Sequence, residues 1–223
     1  MEAILFILAI VIPMVAQGNI TATYSSYKRV NNGKSKCGQE VARQILDANG
    51  LNNVHVVEVK GHLSDHYDPK QKVVRLSTEI FHGESVAAMA VAAHECGHAI
   101  QDKESYSWMR IRTAMCPVVN FITYSAYVLI FISALLQLFN LLYLSFAMVF
   151  AGLLFQLVTL PVEFNASERA IKQLDDLGLT TSDSRGGVKK VLTAAAYTYV
   201  AAVLSSLLEI LRIIVRINNS NRD

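Results

Sequence analysis

Two histidines and a glutamate stand close together in His94-Glu95-Cys96-Gly97-His98. On a helix, residues four apart project from the same face one turn apart, so both imidazoles can reach a single divalent ion. Glu95 lies beside them, where its carboxylate can take a proton from a metal-activated water without binding the metal itself. This spacing is typical of metal-assisted hydrolysis by a zinc peptidase.

The residues around this motif favour a helix. Positions 85–101 are rich in Ala and contain no Pro, which suits a helix that packs closely on its neighbours. Gly97 would destabilise a helix interior by about 0.5–1 kcal/mol relative to Ala, and the close approach of another backbone would explain it. A core helix with two hydrogen-bonded histidines is the alternative, but it leaves the polar motif unexplained.

A catalytic zinc ion usually needs a third protein ligand. All six histidines lie at or before position 98, so a later ligand is expected to be a carboxylate or a thiolate. Cys96 would point about 200° away from the first histidine, while Asp102 and Glu104 follow too closely on the same helix. The remaining candidates, Glu163 and Glu168, are about 140° apart on a helix, so only one of them can face the ion.

Further segments flank the motif, which extends as His94-Glu-Cys-Gly-His-Ala-Ile-Gln101. Before it stand Asp65-His-Tyr-Asp-Pro69 and Leu76-Ser77, and after it Glu163-Phe-Asn-Ala-Ser167. Together they resemble the YugP-type membrane zinc metallopeptidases of bacteria and, more distantly, the HtpX-like membrane proteases, over nearly the whole chain. The resemblance implies zinc as the cofactor, with His94, His98 and Glu163 as ligands and Glu95 as general base.

The chain departs from the HtpX-like pattern at one position near the third ligand. HtpX-like chains have an Asp four residues after that ligand, whereas this chain has Ser167. A carboxylate there would orient a ligand histidine. Either the Ser167 hydroxyl replaces it, or the contact is missing.

The composition is that of a membrane protein. Hydrophobic residues make up 52% of the chain and the mean hydropathy is +0.34, more than a soluble domain needs. The net charge of +2 and the lack of a basic run with interleaved aromatic residues exclude a nucleic-acid partner. Three cysteines without paired spacing fit a reducing compartment.

Three apolar segments are long enough to hold four membrane spans. The first is expected to be an uncleaved span rather than a signal peptide, because only Glu2 precedes the apolar run. The second can form two helices joined by a turn near Gln137 to Asn140, a hairpin that returns Glu163 to the side of the motif. The last contains either a span to about residue 211 or a helix that lies at the surface.

The polar stretch after the first span predicts a small α+β unit. An amphipathic helix is expected from Gly38 to Ala48, with strands at 54–59 and 72–77 and a turn-rich stretch between them. His62 and His66 in that stretch form a rival metal pair, but the Gly and Asp-Pro around them predict a turn rather than a helix. A loop is expected from Thr180 to Gly187.

The predicted fold is therefore a multi-pass α-helical membrane protein with a small zincin-like α+β catalytic portion. Its expected parts are an N-terminal transmembrane helix (1–22), a catalytic portion with the HExxH helix (23–116), a transmembrane hairpin (117–162), a helix with the third ligand and a loop (163–190), and a C-terminal transmembrane or interfacial helix (191–223).

The distribution of Lys and Arg predicts the orientation. Twelve lie between the first two spans and five between the third and fourth, against none in the hairpin turn and three near the C-terminus. By the positive-inside rule the active site faces the cytoplasm of a bacterial plasma membrane and the N-terminus lies outside.

The expected function is a zinc-dependent endopeptidase, embedded in the lipid bilayer, that acts on a protein or peptide substrate. His66, Tyr67 and Asn165 are the candidates for stabilising the oxyanion. A non-catalytic membrane scaffold with a structural metal is the alternative, although it needs no base at Glu95. A transporter is less favoured, because the apolar hairpin carries no charged residue.

Overall fold

The structure is a computed structural model that describes residues 2–61, 64–136 and 141–220. The described part is mostly helical, with a small sheet. In chain order its elements are α1 (Glu2–Tyr27), α2 (Gly38–Ala48), β1 (His55–Val59), β2 (His66–Asp68), β3 (Val73–Ser77), α3 (Thr78–His82), α4 (Val86–Lys103), α5 (Ser107–Leu136), α6 (Leu141–Asp176) and α7 (Ser182–Ser220).

The sheet has three strands in the order β1-β3-β2. β1 runs parallel to β3 and β2 runs antiparallel to it. The central strand is buried, and Val74 and Leu76 are fully enclosed. β1 and β3 confirm the two expected strands, but β2 lies in the stretch that was expected only to turn. It is three residues long, too short for alternation to be visible in the sequence.

One compact unit comprises Gly18–Met109 and Val162–Ala196. In it the amphipathic helix α2 has the predicted bounds and buries Val41, Ile45 and Leu46 completely. Most of α4 is buried in the same core. The unit is therefore built around the helix that carries the motif.

The helix α7 begins earlier than the sequence indicates. A loop was expected to Gly187, but the helix starts at Ser182. Thr181 and Ser184 cap it reciprocally, because each backbone amide donates to the other's hydroxyl, at 2.8 and 3.1 Å. A Cβ on Gly187 would lie 2.6 Å from the Tyr27 ring. The glycine is thus explained by close packing and not by a turn.

A second unit comprises Met1–Gln17, Arg110–Pro161 and Tyr197–Asp223. Its described residues are helical. The Ser205 hydroxyl of α7 donates to the carbonyl of Ala9 in α1 at 2.6 Å. Large apolar side chains on its surface, such as Ile4 and Phe121, are 63% and 74% exposed. Such a surface is unfavourable in water and suits lipid.

Three of the described helices are long and apolar enough to cross a membrane: Glu2–Tyr27, Phe146–Asp176 and Ser182–Arg216. The expected hairpin turn at 137–140 lies outside the described residues, as do most side chains of the span that was expected to precede it. On either side of these four residues the structure describes helices, since α5 ends at Leu136 and α6 begins at Leu141.

Candidate metal centre

The helix α4 positions both histidines of the motif. Ser85 is its N-cap, and the Ser85 hydroxyl accepts a hydrogen bond from the amide of Ala88 at 3.1 Å, which satisfies one free N–H group of the first turn. One turn separates His94 from His98, and their ring centroids are 4.8 Å apart. The two imidazoles lie on one face, as their spacing predicts.

The helix α6 brings Glu163 to these two imidazoles. Its Oε2 lies 3.2 Å from Nε2 of His94 and 3.6 Å from Nε2 of His98. The three ligand atoms all lie within 4.8 Å of one another, and Glu163 is only 2% exposed. A nearly buried carboxylate therefore faces two imidazole nitrogens from the opposite helix.

These three side chains fit a zinc ion. Imidazole nitrogen and carboxylate oxygen both bind zinc, and three protein ligands leave a fourth position open, as catalytic sites require. Although burial by itself favours a neutral imidazole, the Glu163 carboxylate raises the pKa of His98 above its ordinary value. The Glu163 carboxylate therefore favours a positive charge beside it, and a metal ion bound there would supply that charge.

The Nδ1 atom of each histidine faces a neutral side chain. Nδ1 of His94 lies 3.1 Å from the Ser167 hydroxyl oxygen, so a hydroxyl stands where HtpX-like chains have a carboxylate. Nδ1 of His98 lies 3.0 Å from Oε1 of Gln101. Sequence reasoning gave Gln101 no role. The available signal was a polar side chain three residues after His98.

At Gly97 the backbones of α4 and α6 approach each other closely. A Cβ built on it would lie 2.4 Å from the carbonyl oxygen of Ala166 and 3.1 Å from its Cα. Ala166 lies between Glu163 and Ser167 on α6. The sequence interpretation of Gly97 as a backbone contact is confirmed, and the contact sets the distance between the histidines and Glu163.

Gly97→Ala is expected to destabilise the protein and to weaken zinc binding. The added methyl group must push two backbones apart, and such overpacking destabilises by about 1–3 kcal/mol. Thermal unfolding and zinc content, measured on the same preparations, check this. Gly186→Ala is the matched control, because a Cβ there meets nothing within 4 Å and Ala favours a helix. Equal zinc content and stability in all three proteins would contradict the account of Gly97.

The other nearby candidate ligands, Cys96 and Glu168, lie outside the proposed ion position. The Cys96 thiol points to the carbonyl oxygen of Ala42 at 3.5 Å, and burial raises the pKa of this thiol, so it is kept from forming a thiolate ligand. Glu168 is exposed on α6. Neither belongs to the group of three ligand atoms.

Acidic residues after the motif pair with other partners. Asp102 accepts a hydrogen bond from the Tyr67 hydroxyl at 2.8 Å and pairs with Lys72 at 2.5 Å. Burial, together with the Asp102 carboxylate, raises the pKa of Tyr67 above its ordinary value. Glu104 pairs with Arg169 at 2.7 Å. These contacts hold α4 against the sheet and against α6.

Only one histidine of the rival pair, His66, lies within the described residues. His62 lies outside the described residues. His66 is exposed, and its Nδ1 lies 2.8 Å from the carbonyl oxygen of Ser64. Among the described residues, His94, His98 and Glu163 form the one group of three that could hold a metal ion.

Comparison with known proteins gives two matches. Residues 2–218 match the family model described as "Putative neutral zinc metallopeptidase". The chain is also 46% identical over 199 residues to "Putative membrane protease YugP" of Bacillus subtilis (strain 168), a match that covers 89% of this chain and 88% of that protein. No solved structure matches the chain. The protein therefore belongs to the neutral zinc metallopeptidase family that this model describes, and it is a membrane-associated hydrolase that uses zinc.

Proposed function

We propose that this protein is an endopeptidase in which His94, His98 and Glu163 hold zinc and Glu95 acts as the general base. One observation carries the proposal. Three ligand atoms from α4 and α6 lie within 4.8 Å of one another, and Glu95 adjoins the first of them on α4 without belonging to the group. Ligand and base functions are thereby divided among neighbouring residues, as zincin-like hydrolysis requires.

Zinc, when bound, supplies a Lewis acid that polarises the scissile carbonyl and makes water more acidic. The Glu95 carboxylate accepts a proton from the attacking water and passes it to the leaving amine, so the C–N bond breaks without release of an amide anion. Glu95 is 8% exposed, which limits competition from bulk solvent. His94 and His98 are held with Nε2 toward Glu163, so neither is available as the base.

Removal of zinc is expected to abolish peptide hydrolysis. A strong chelator should stop the purified full-length protein from cleaving an unfolded protein substrate, and about one equivalent of zinc per chain should restore cleavage. Mg²⁺ is the control, because it prefers oxygen ligands and octahedral geometry. Undiminished cleavage by the zinc-free protein would contradict the proposal. Zinc-loaded protein that cleaves none of a panel of unfolded substrates would favour the scaffold alternative.

We further propose that the active site faces the cytoplasm and that four spans cross the membrane. The basic residues near the first two spans, Lys28, Arg29, Arg110 and Arg112, support this orientation. A reporter that works only in the cytoplasm should be silent when fused after Asp223, and one that works only outside should be active there. The reverse result would mean that the last segment does not cross.

A further inference from the structure

The buried side chain of Gln101 contacts His98, the second histidine of the motif. It is fully buried on α4, three residues after His98. Its Nε2 donates to the main-chain carbonyl of Val162 at 2.8 Å and to Oδ1 of Asn165 at 3.0 Å. Its Oε1 lies 3.0 Å from Nδ1 of His98. One amide group thus contacts both the motif helix and α6.

The contacts of this amide determine which of its atoms faces the histidine. A carbonyl oxygen only accepts hydrogen bonds, so the atom that faces Val162 must be the amide nitrogen. Asn165 gives the same answer, because its Oδ1 also accepts from Nε of Arg169 at 2.7 Å and must therefore be an oxygen. The remaining atom of the Gln101 amide, Oε1, can only accept. His98 must consequently donate its Nδ1–H to Gln101.

This hydrogen bond leaves Nε2 of His98 as the nitrogen that offers a lone pair. Nε2 is the atom that lies 3.6 Å from Oε2 of Glu163, on the side of the proposed ion. A buried partner that fixes the tautomer and ring angle of a ligand histidine strengthens metal binding. The Ser167 hydroxyl beside His94 is different, because a hydroxyl can donate or accept and does not select a tautomer.

The same amide also holds the segment of α6 that carries the third ligand. Val162, whose carbonyl receives the Gln101 hydrogen bond, immediately precedes Glu163. Displacement of Gln101 would therefore release His98 and the turn that carries Glu163 together. We propose that Gln101 is a positioning residue of the zinc centre, which fixes the Nδ1–H tautomer of His98 and locks Glu163 opposite it. This inference rests on the ligand set proposed above.

Two substitutions separate the contacts of Gln101. Gln101→Met keeps an unbranched side chain of similar length but removes every hydrogen bond. Gln101→Glu keeps an acceptor for Nδ1–H of His98 but can no longer donate to Val162. Glu104→Gln is the matched control, because it weakens the Arg169 contact between α4 and α6 without touching a histidine.

Zinc affinity is measured on each full-length protein by competition with a chromophoric chelator, and the visible absorption of Co²⁺ in place of zinc reports the ligand geometry. Gln101→Met is expected to bind zinc about 10–100-fold more weakly and to alter the Co²⁺ spectrum. Gln101→Glu is expected to bind several-fold more tightly than Gln101→Met while unfolding at a lower temperature than wild type. Glu104→Gln is expected to keep the affinity and the Co²⁺ spectrum of wild type.

Wild-type zinc affinity in Gln101→Met would overturn the inference, and equal losses in the Met and Glu variants would overturn the role of Gln101 in fixing the His98 tautomer. If Gln101→Met does not fold, folded Gln101→Glu decides: retained zinc supports the acceptor role, and lost zinc overturns it. Glu163→Ala, measured in the same series, tests the ligand set separately. Unchanged zinc in that variant would refute the proposed ligands, whatever Gln101 does.

Discussion

Glu95→Gln is expected to abolish peptide hydrolysis while leaving zinc bound. Gln has the shape of Glu but cannot accept the proton of the attacking water, and loss of a general base typically lowers the rate about 10²–10⁴-fold. Zinc should stay, because the three proposed ligand atoms belong to His94, His98 and Glu163. Metal content and the cleavage rate of an unfolded protein, measured on the same preparations, check both parts.

Glu84→Gln is the matched control for this substitution. Glu84 is exposed, just before α4, so the same chemical change there should leave both zinc and rate unaltered. Zinc lost from Glu95→Gln would show that Glu95 holds the metal or its site. Cleavage by Glu95→Gln at the wild-type rate would exclude Glu95 as the base.

Glu163→Ala is expected to remove zinc and, with it, activity. This substitution takes away one of the three proposed protein ligands and leaves two imidazoles that cannot close the site. The loss of zinc affinity should exceed the roughly 10–100-fold loss caused by substituting a residue that hydrogen-bonds to a ligand. Zinc stoichiometry after dialysis against a weak chelator, followed by the cleavage assay, measures the effect.

Glu168→Ala serves as its control, since Glu168 lies on the same helix but is exposed. It should keep zinc at the wild-type level. Were zinc lost from Glu168→Ala and retained by Glu163→Ala, the choice between the two glutamates would have to be reversed. The experiment therefore decides the alternative that helix geometry left open.

Sequence reasoning succeeded where helix periodicity or steric exclusion alone determines the local structure. The i, i+4 spacing fixed one face for His94 and His98, and apolar periodicity gave α2 its bounds. Gly97 in a helix implied a backbone neighbour, and Ala166 is that neighbour. Each of these inferences needs only helix geometry and steric exclusion, which the sequence specifies locally.

It did not succeed where tertiary packing overrides local preference. A loop was expected from Thr180 to Gly187, yet α7 begins at Ser182 and Tyr27 packs against Gly187 within it. The strand β2 forms because β3 offers it a partner, not because its three residues favour a strand. The sequence did not predict the role of Gln101 for the same reason. Its partners Val162 and Asn165 lie about 60 positions away in the chain, so no local sequence pattern connects them.

X-ray absorption at the zinc K-edge of the full-length protein identifies the atoms bound to zinc. We expect only nitrogen and oxygen neighbours, with zinc–nitrogen distances of about 2.0–2.1 Å, and no sulfur at about 2.3 Å. Imidazole scattering should account for two of the ligands, and Glu163→Ala should hold no zinc to measure. A zinc–sulfur distance, or imidazole scattering from fewer than two histidines, would contradict a centre formed by His94, His98 and Glu163.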